Sequence, residues 1–392
     1  MRVLVTAVAQ PTGISGVQRH AFNLVHCLLQ RPEIGAVHLA LAPWQQHLPA
    51  LAGLEPGDRL RIEIASTQRG ALARNLWHLR ELPALARAVR ADLVHLTHPV
   101  PFRSASMPCP VVMTLHDLYP FEIPGNFRFP QVIVNRWILR SALSQADAVC
   151  CVSRTTLDRL QVSGLGVASA YAVVPNCVEP SRTVSACSPV PGWNGEMFLL
   201  SVAQHRRNKN LDLLLRTFGY MFAKRSLPPT ARLVIVGMEG PETEKLHALV
   251  RHLNLPGHVD FLEGLSNAEL QWCYLHCTAM VAPSLTEGFG LPIVEARLAG
   301  ARIVCSDIPA FRELAAPSMH FVNLRENPEM ALSAAIEEAL LQSRPKPERI
   351  RELESNSIAE QYMTLYLATL TLPAGIAHGS HANVAITERP AR

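Results

Sequence analysis

Short apolar runs bounded by turn residues alternate with segments of helical period along this whole chain, and that alternation limits the fold more than any single motif does. Strands are expected at 2–6, 37–42, 60–64, 93–96, 111–115, 148–152 and 171–174, with helices at about 17–29, 76–90, 131–144 and 153–160 between them. Strands separated by helices pair in parallel through right-handed crossovers, so the expected fold class is α/β with doubly wound parallel sheets. The pattern stops at 179–194, a stretch rich in Pro and Ser with no period, and then restarts with strands at 198–202, 232–236, 259–262, 279–282, 302–305 and 320–322. Two Rossmann-like domains facing each other across a ligand cleft are therefore predicted. They span 1–180 and 196–355, joined by a linker at 181–195; a helix at 356–372 returns to the first domain, and a disordered tail covers 373–392.

Composition narrows the functional classes. At 392 residues, 48% hydrophobic and 17% charged, the chain is long and apolar enough to bury two substantial cores. No run of about 20 apolar residues appears, and the N-terminus enters the strand Arg2-Val-Leu-Val-Thr6 without signal-peptide flanks, which predicts a cytosolic protein. Nine scattered cysteines suggest no disulfide framework, and Cys273 and Cys277 with His276 between them read as a buried helix face rather than a metal site. Net charge is +4, unevenly placed: 17 Arg stand against 11 acids through Asn194, and 19 basic against 21 acidic residues after it. That excess is too mild for nucleic acid, whereas Arg128, Arg136 and Arg140, close together, suit peripheral contact with the anionic inner face of a membrane.

The segment Pro283-Ser-Leu-Thr-Glu-Gly-Phe-Gly-Leu-Pro-Ile-Val-Glu-Ala296 carries the most chemistry. Gly288 and Gly290 supply a tight turn, and Pro292 is pre-set for the first helical position. Unpaired N–H groups and the positive dipole end at such a helix start favour a phosphate or diphosphate. Glu287 and Glu295, flanking the turn, suit sugar hydroxyls instead. Together they fit a nucleotide-sugar. Arg206, Arg207 and Lys209, on a loop after a strand in Ser201-Val-Ala-Gln-His-Arg-Arg-Asn-Lys-Asn-Leu211, are suited to its diphosphate. His116 and Asp117 follow the strand at 111–115 and suit donation to a sugar hydroxyl, with Asp117 as orienter or base. His95 and His98 are lining at most. Gly13 and Gly16 lack the third glycine of a dinucleotide fingerprint, and Asn176 reads as a turn residue or part of the acceptor side.

These segments, in this order, resemble the retaining glycosyltransferases of family 4 over about residues 1 to 370, most specifically in 284–296 and in Ser306-Asp-Ile-Pro-Ala-Phe-Arg-Glu313. The resemblance implies the GT-B fold of two Rossmann-like domains. It implies that Glu287 lies by the donor sugar, that Glu295 binds the nucleotide ribose, and that the backbone of Gly288, Phe289, Gly290 and Leu291 offers amides. Lys209 with Arg206 or Arg207 would hold the leaving diphosphate, and His116 would sit near the transferred sugar. Gly13 and Gly16 would lie beneath the donor phosphates and beside the acceptor. Arg297 and Arg302 depart from the family's small residues and proline in that stretch. The customary arginine after the strand is replaced by Ala203-Gln204-His205, which leaves the choice between Arg206 and Arg207 open.

The expected activity is retaining, metal-independent hexosyl transfer without a cofactor. The donor would be a nucleoside-diphosphate sugar, GDP-mannose for preference, and the acceptor a glycan or lipid-linked glycan of bacterial surface polysaccharide. A retaining hydrolase also needs two carboxylates, but not phosphate-suited donors between them. A nucleotide-sugar epimerase on the same architecture and a non-catalytic sugar-nucleotide-binding subunit are the remaining alternatives.

Overall fold

Seven strands in parallel carry the first sheet: β1 (Arg2–Thr6), β2 (Ala36–Leu41), β3 (Leu60–Ile64), β4 (Leu93–Leu96), β5 (Val111–Leu115), β6 (Ala148–Cys151) and β7 (Ala170–Val173). The second sheet holds β8 (Phe198–Val202), β9 (Arg232–Val236), β10 (Val259–Leu262), β11 (Ala279–Ala282), β12 (Ile303–Ser306) and β13 (Met319–Val322). A two-residue strand, β14 (Val384–Ala385), adds to the free edge of β7. This computed structural model describes residues 1–9, 15–127, 129–165, 168, 170–179, 184–371 and 384–385. The chain divides into one unit of Met1–Glu179 with Arg351–Arg392, and a second of Pro180–Ile350.

The first sheet runs β3-β2-β1-β4-β5-β6-β7 and the second β10-β9-β8-β11-β12-β13. Counted from the first strand of each, both contain the order 3-2-1-4-5-6, which the first extends with a seventh strand beyond the sixth. Each therefore has a topological switch point, between β1 and β4 and between β8 and β11, where a crevice opens at the carboxyl ends of the strands.

Burial on both faces explains why these strands read as nearly continuous apolar runs. In β1, Val3 and Val5 face one core while Leu4 faces the other. The first core is closed by the helices Gly16–Leu29 and Ser355–Thr371, and the second by Ala71–Ala88, Gln131–Gln145 and Arg154–Ser163. Phe22, Leu24 and Leu28 meet Ile358, Tyr362 and Tyr366 there, so the helix after residue 350 belongs to the first unit. The second sheet is covered in part by Leu211–Ala223 and Pro328–Leu341.

Local chemistry moves several expected boundaries. The first helix begins at Gly16 rather than 17, because Ser15 and Gln18 form a reciprocal capping box. The helix expected at 76–90 starts at Ala71, after Gly70 at φ 114°. Ser153 is a cap outside its helix, its side chain accepting from the Thr156 N–H. Of the expected linker, 181–183 lies outside the described residues and 184–195 holds no helix or strand. The expected tail lies outside them too, apart from 384–385.

Candidate active site

In the second unit the site is built at the β8/β11 switch point. Direct pairing of these strands is confined to Ala279 with Leu199 and Met280 with Leu200, so their last residues are left to line an opening. The loop after β8 is pinned on two sides. From behind, Gly237 and Gly240 let the backbones approach: a Cβ at 237 would stand 2.0 Å from the Ala203 carbonyl oxygen, and one at 240 would stand 2.5 Å from that of His205. In front, the Leu285 N–H donates to the Asn208 carbonyl at 2.8 Å, and Asn210 Nδ2 donates to the Pro283 carbonyl at 3.1 Å. Asn210 takes φ 53°, a left-handed conformation that asparagine tolerates, and it turns the chain into the helix Leu211–Ala223.

That clamp aims Lys209. Its Nζ donates to Glu287 Oε1 at 2.6 Å and to Oε2 at 2.9 Å, and Ser284 Oγ donates to Oε1 at 2.7 Å. Glu287 is only 8% exposed. An ammonium has three protons, so two on the carboxylate leave a third for an incoming anion. Lys209, Ser284 and Glu287 line a small pocket together with Ser201, Gly290 and Pro292.

The turn after Glu287 delivers a helix start to the same pocket. Gly290 has φ 109°, and a Cβ there would lie 3.0 Å from the Phe311 ring. Only glycine meets both conditions. Leu291–Leu298 follows with no side-chain cap, and Pro292 occupies its second position rather than the first, correcting the expectation by one residue. Gly290, Pro292 and Ile293 line the pocket, so the positive end of the helix dipole is directed there. Gly288 and Leu291 stand in the same turn, and Phe289 is buried.

The other expected residues divide. Glu295 accepts from the Tyr274 hydroxyl at 2.7 Å and does not line this pocket. Arg206 is half-buried and Arg207 exposed, and neither makes a side-chain ion pair or hydrogen bond among the described residues. Arg297 pairs with Glu348 and donates to the Leu314 carbonyl, while Arg302 donates to the carbonyls of Gln342 and Thr278. These two departures from the family pattern are structural. Burial pushes the thiols of Cys273 and Cys277 up to about 12, and no metal-holding cluster occurs among the described residues.

In the first unit His116 stands at the end of β5. Its Nε2 lies 2.8 Å from the Thr97 carbonyl oxygen, which can only accept, so the ring proton sits on Nε2 and Nδ1 keeps a lone pair. Burial lowers its pKa to about 4, making it neutral near pH 7. Asp117 Oδ1 accepts from the Tyr119 N–H at 3.0 Å. Gly16 opens its helix with nothing within 4 Å of an added Cβ, and Gly13 lies outside the described residues.

Sequence reading missed His20, whose ring meets that of His116 edge-on with centroids 4.7 Å apart. His20 Nδ1 lies 2.7 Å from Asn176 Oδ1, and His20 Nε2 lies 3.2 Å from Thr114 Oγ1. Asn176 is thus a buried partner rather than a turn residue. Thr114 Oγ1 also meets His95 Nε2 at 2.8 Å, and His95 Nδ1 meets the Tyr366 hydroxyl at 2.6 Å. Burial lowers His95 and His98 to about 3 and His20 well below its ordinary value.

Comparison with known proteins covers both units. The family model described as Glycosyltransferase Family 4 matches residues 14–182, and that described as Glycosyl transferases group 1 matches 189–356. The O-antigen chain mannosyltransferase RfbU of Salmonella typhimurium is 28% identical over 211 residues, covering 54% of this chain and 56% of that protein. An O-antigen chain mannosyltransferase of Escherichia coli is 27% identical over 52% of this chain and 54% of its own length. The chain thus spans about half the length of these curated relatives. Among solved structures, Anabaena HepE in complex with UDP and glucose superposes with a TM-score of 0.69 at 18% identity, covering 94% of this chain and all of that one. WaaG, a glycosyltransferase involved in lipopolysaccharide biosynthesis, gives 0.63 at 16% identity over 92% and 93%. Both likenesses establish the GT-B fold.

Proposed function

The chain belongs to the group 1 glycosyltransferases of family 4, and we propose that it transfers a hexosyl group from a nucleoside-diphosphate sugar, with retention and without a metal ion, to a glycan or lipid-linked glycan of bacterial surface polysaccharide. The observation that carries this reading is the Lys209–Glu287 pair inside a pocket that also takes a helix N-terminus. In transfer, the bond from the anomeric carbon to the diphosphate breaks as one to the acceptor oxygen forms, the diphosphate leaves with the electron pair, and the acceptor hydroxyl proton passes to the departing diphosphate oxygen. Lys209, an arginine from 206–207 and the helix dipole take up that charge, which is the work a divalent ion would otherwise do. Glu287 lies by the sugar, Glu295 takes the ribose hydroxyls, and neutral His116 serves the transferred sugar. The mannosyltransferase relatives favour GDP-mannose as donor.

Incubation with a panel of nucleotide-sugars and lipid-linked or free glycan acceptors, with proton NMR of the product anomer, tests the reading. Retained configuration is expected, and Lys209→Ala should lower kcat on the order of a hundredfold. Inverted product, or donor conversion with no acceptor present, contradicts it.

The partner reading extends to a membrane surface. Phe129, Ile133 and Trp137 are 82%, 55% and 59% exposed along one stripe. No acidic residue occurs from Ile123 through Ala146, and Arg136 and Arg140 lie over the Phe121 ring. Such a face suits the cytoplasmic, anionic side of a bilayer, where a lipid-linked acceptor would be presented. Arg128 lies outside the described residues. Among those residues, no helix is long and apolar enough to cross a membrane.

A further inference from the structure

Five buried side chains from five separate segments form one hydrogen-bonded line in the first unit: Tyr366, His95, Thr114, His20 and Asn176. Its proton order can be deduced. The Thr114 hydroxyl has a single proton, so it can donate to only one of the two imidazole nitrogens beside it. Asn176 presents its carbonyl oxygen to His20, which puts the His20 proton on Nδ1 and leaves Nε2 to accept from Thr114. Thr114 then accepts from His95 Nε2–H, and His95 Nδ1 accepts from the Tyr366 hydroxyl. Every bond points the same way, from the helix Ser355–Thr371 toward the loop after β7.

The line ends where it matters for His116. His20, held at both nitrogens, cannot rotate, and its ring meets the His116 ring edge-on at 88°. Among the described residues, the ring of His116 is hydrogen-bonded at Nε2, by Thr97. A ring with a single hydrogen bond can still pivot about it. The rigid His20 ring supplies the second restraint.

We propose that the Tyr366–His95–Thr114–His20–Asn176 line is a positioning device for His116, holding that ring in one orientation from as far away as the helix Ser355–Thr371. The inference rests on the transferase reading only for its kinetic consequence, since the tautomers are observable without turnover.

Thr114 separates positioning from packing. Thr114→Val keeps the shape and loses the hydroxyl, whereas Thr114→Ser loses a methyl and keeps it. Long-range proton–nitrogen spectra of the labelled full chain, assigned through His20→Gln and His95→Gln, should show wild-type His20 protonated at Nδ1, with His95 and His116 protonated at Nε2. In Thr114→Val, His20 and His95 should become tautomer mixtures and the His116 signals should move. There kcat should fall about tenfold with donor KM within twofold, and Thr114→Ser should rescue both readouts. Tyr366→Phe, which removes one oxygen at the far end, should mix the His95 tautomers and serves if Thr114→Val does not fold. Wild-type His116 signals and kcat in Thr114→Val, or unchanged His95 tautomers in Tyr366→Phe, would overturn the proposal. Absence of transfer by the wild type with every donor would sink the functional reading while the spectra still decide this one.

Discussion

Lys209 and Glu287 are 78 residues apart in sequence and each replaces part of the other's lost hydration. Removing one partner leaves a lone charge in a partly enclosed site, which costs more than the pair itself contributes. Lys209→Ala and Glu287→Ala should therefore each destabilise the fold, while the double variant is less unstable than their sum by about 1–3 kcal/mol in a denaturant double-mutant cycle. Strict additivity would mean that the pair carries no coupling. Gly237→Ala should be worse than either, because its Cβ would collide with the Ala203 backbone and push the Lys209 loop off its support. Loss of diphosphate binding at a temperature where the variant remains folded is the expected result. At this scale, the local motifs made legible the two residues that the fold brings into one pocket, Glu287 and Lys209. Ser284, Asn208, Gly237 and His20 were not, because their value lies in which atom they touch across the fold. Only the glycine pair Gly237 and Gly240, spaced after a strand end, left a signal that could have been read.

Elements of the first sheet carry a pH dependence. His78 and His116 are lowered to about 4, and His95 and His98 to about 3, in each case chiefly by burial. An unfolded histidine titrates near 6.5, so between the two values the unfolded chain binds more protons and stability rises with pH. The contribution is complete above about pH 6.5 and is lost as pH falls toward the folded values, by about 1.4 kcal/mol per pH unit for each histidine. Hydrogen exchange in β4 and β5 should accelerate steeply between pH 6.5 and 4.5. Equal protection at both values would mean that these rings are not held neutral. The strands themselves were legible because burial on both faces makes each a short apolar run. Helix starts were less so, since Ser15, Gly70 and Ser153 set them through caps and a positive φ rather than through periodicity.

At the scale of the whole molecule, both sheets contain the same order of six strands, and the chain closes by returning the helix Ser355–Thr371 to the first core. The alternation of elements made the two-sheet plan readable, but where the division falls depends on long-range packing and does not follow from local pattern. The exposed Phe129, Ile133 and Trp137 stripe predicts flotation with vesicles containing phosphatidylglycerol but not with phosphatidylcholine alone, weakened several-fold by Ile133→Ser with Trp137→Ser. Indifference to both changes would remove the membrane from the account. The central claim is that the pocket of the second unit grips a diphosphate. Calorimetric titration of GDP, UDP and ADP, with their monophosphates as controls, into wild type, Lys209→Ala and Arg206→Ala tests it most directly. Diphosphate affinity should fall at least about tenfold in Lys209→Ala, with monophosphate affinity changed less. Equal diphosphate affinity in wild type and Lys209→Ala would contradict the account.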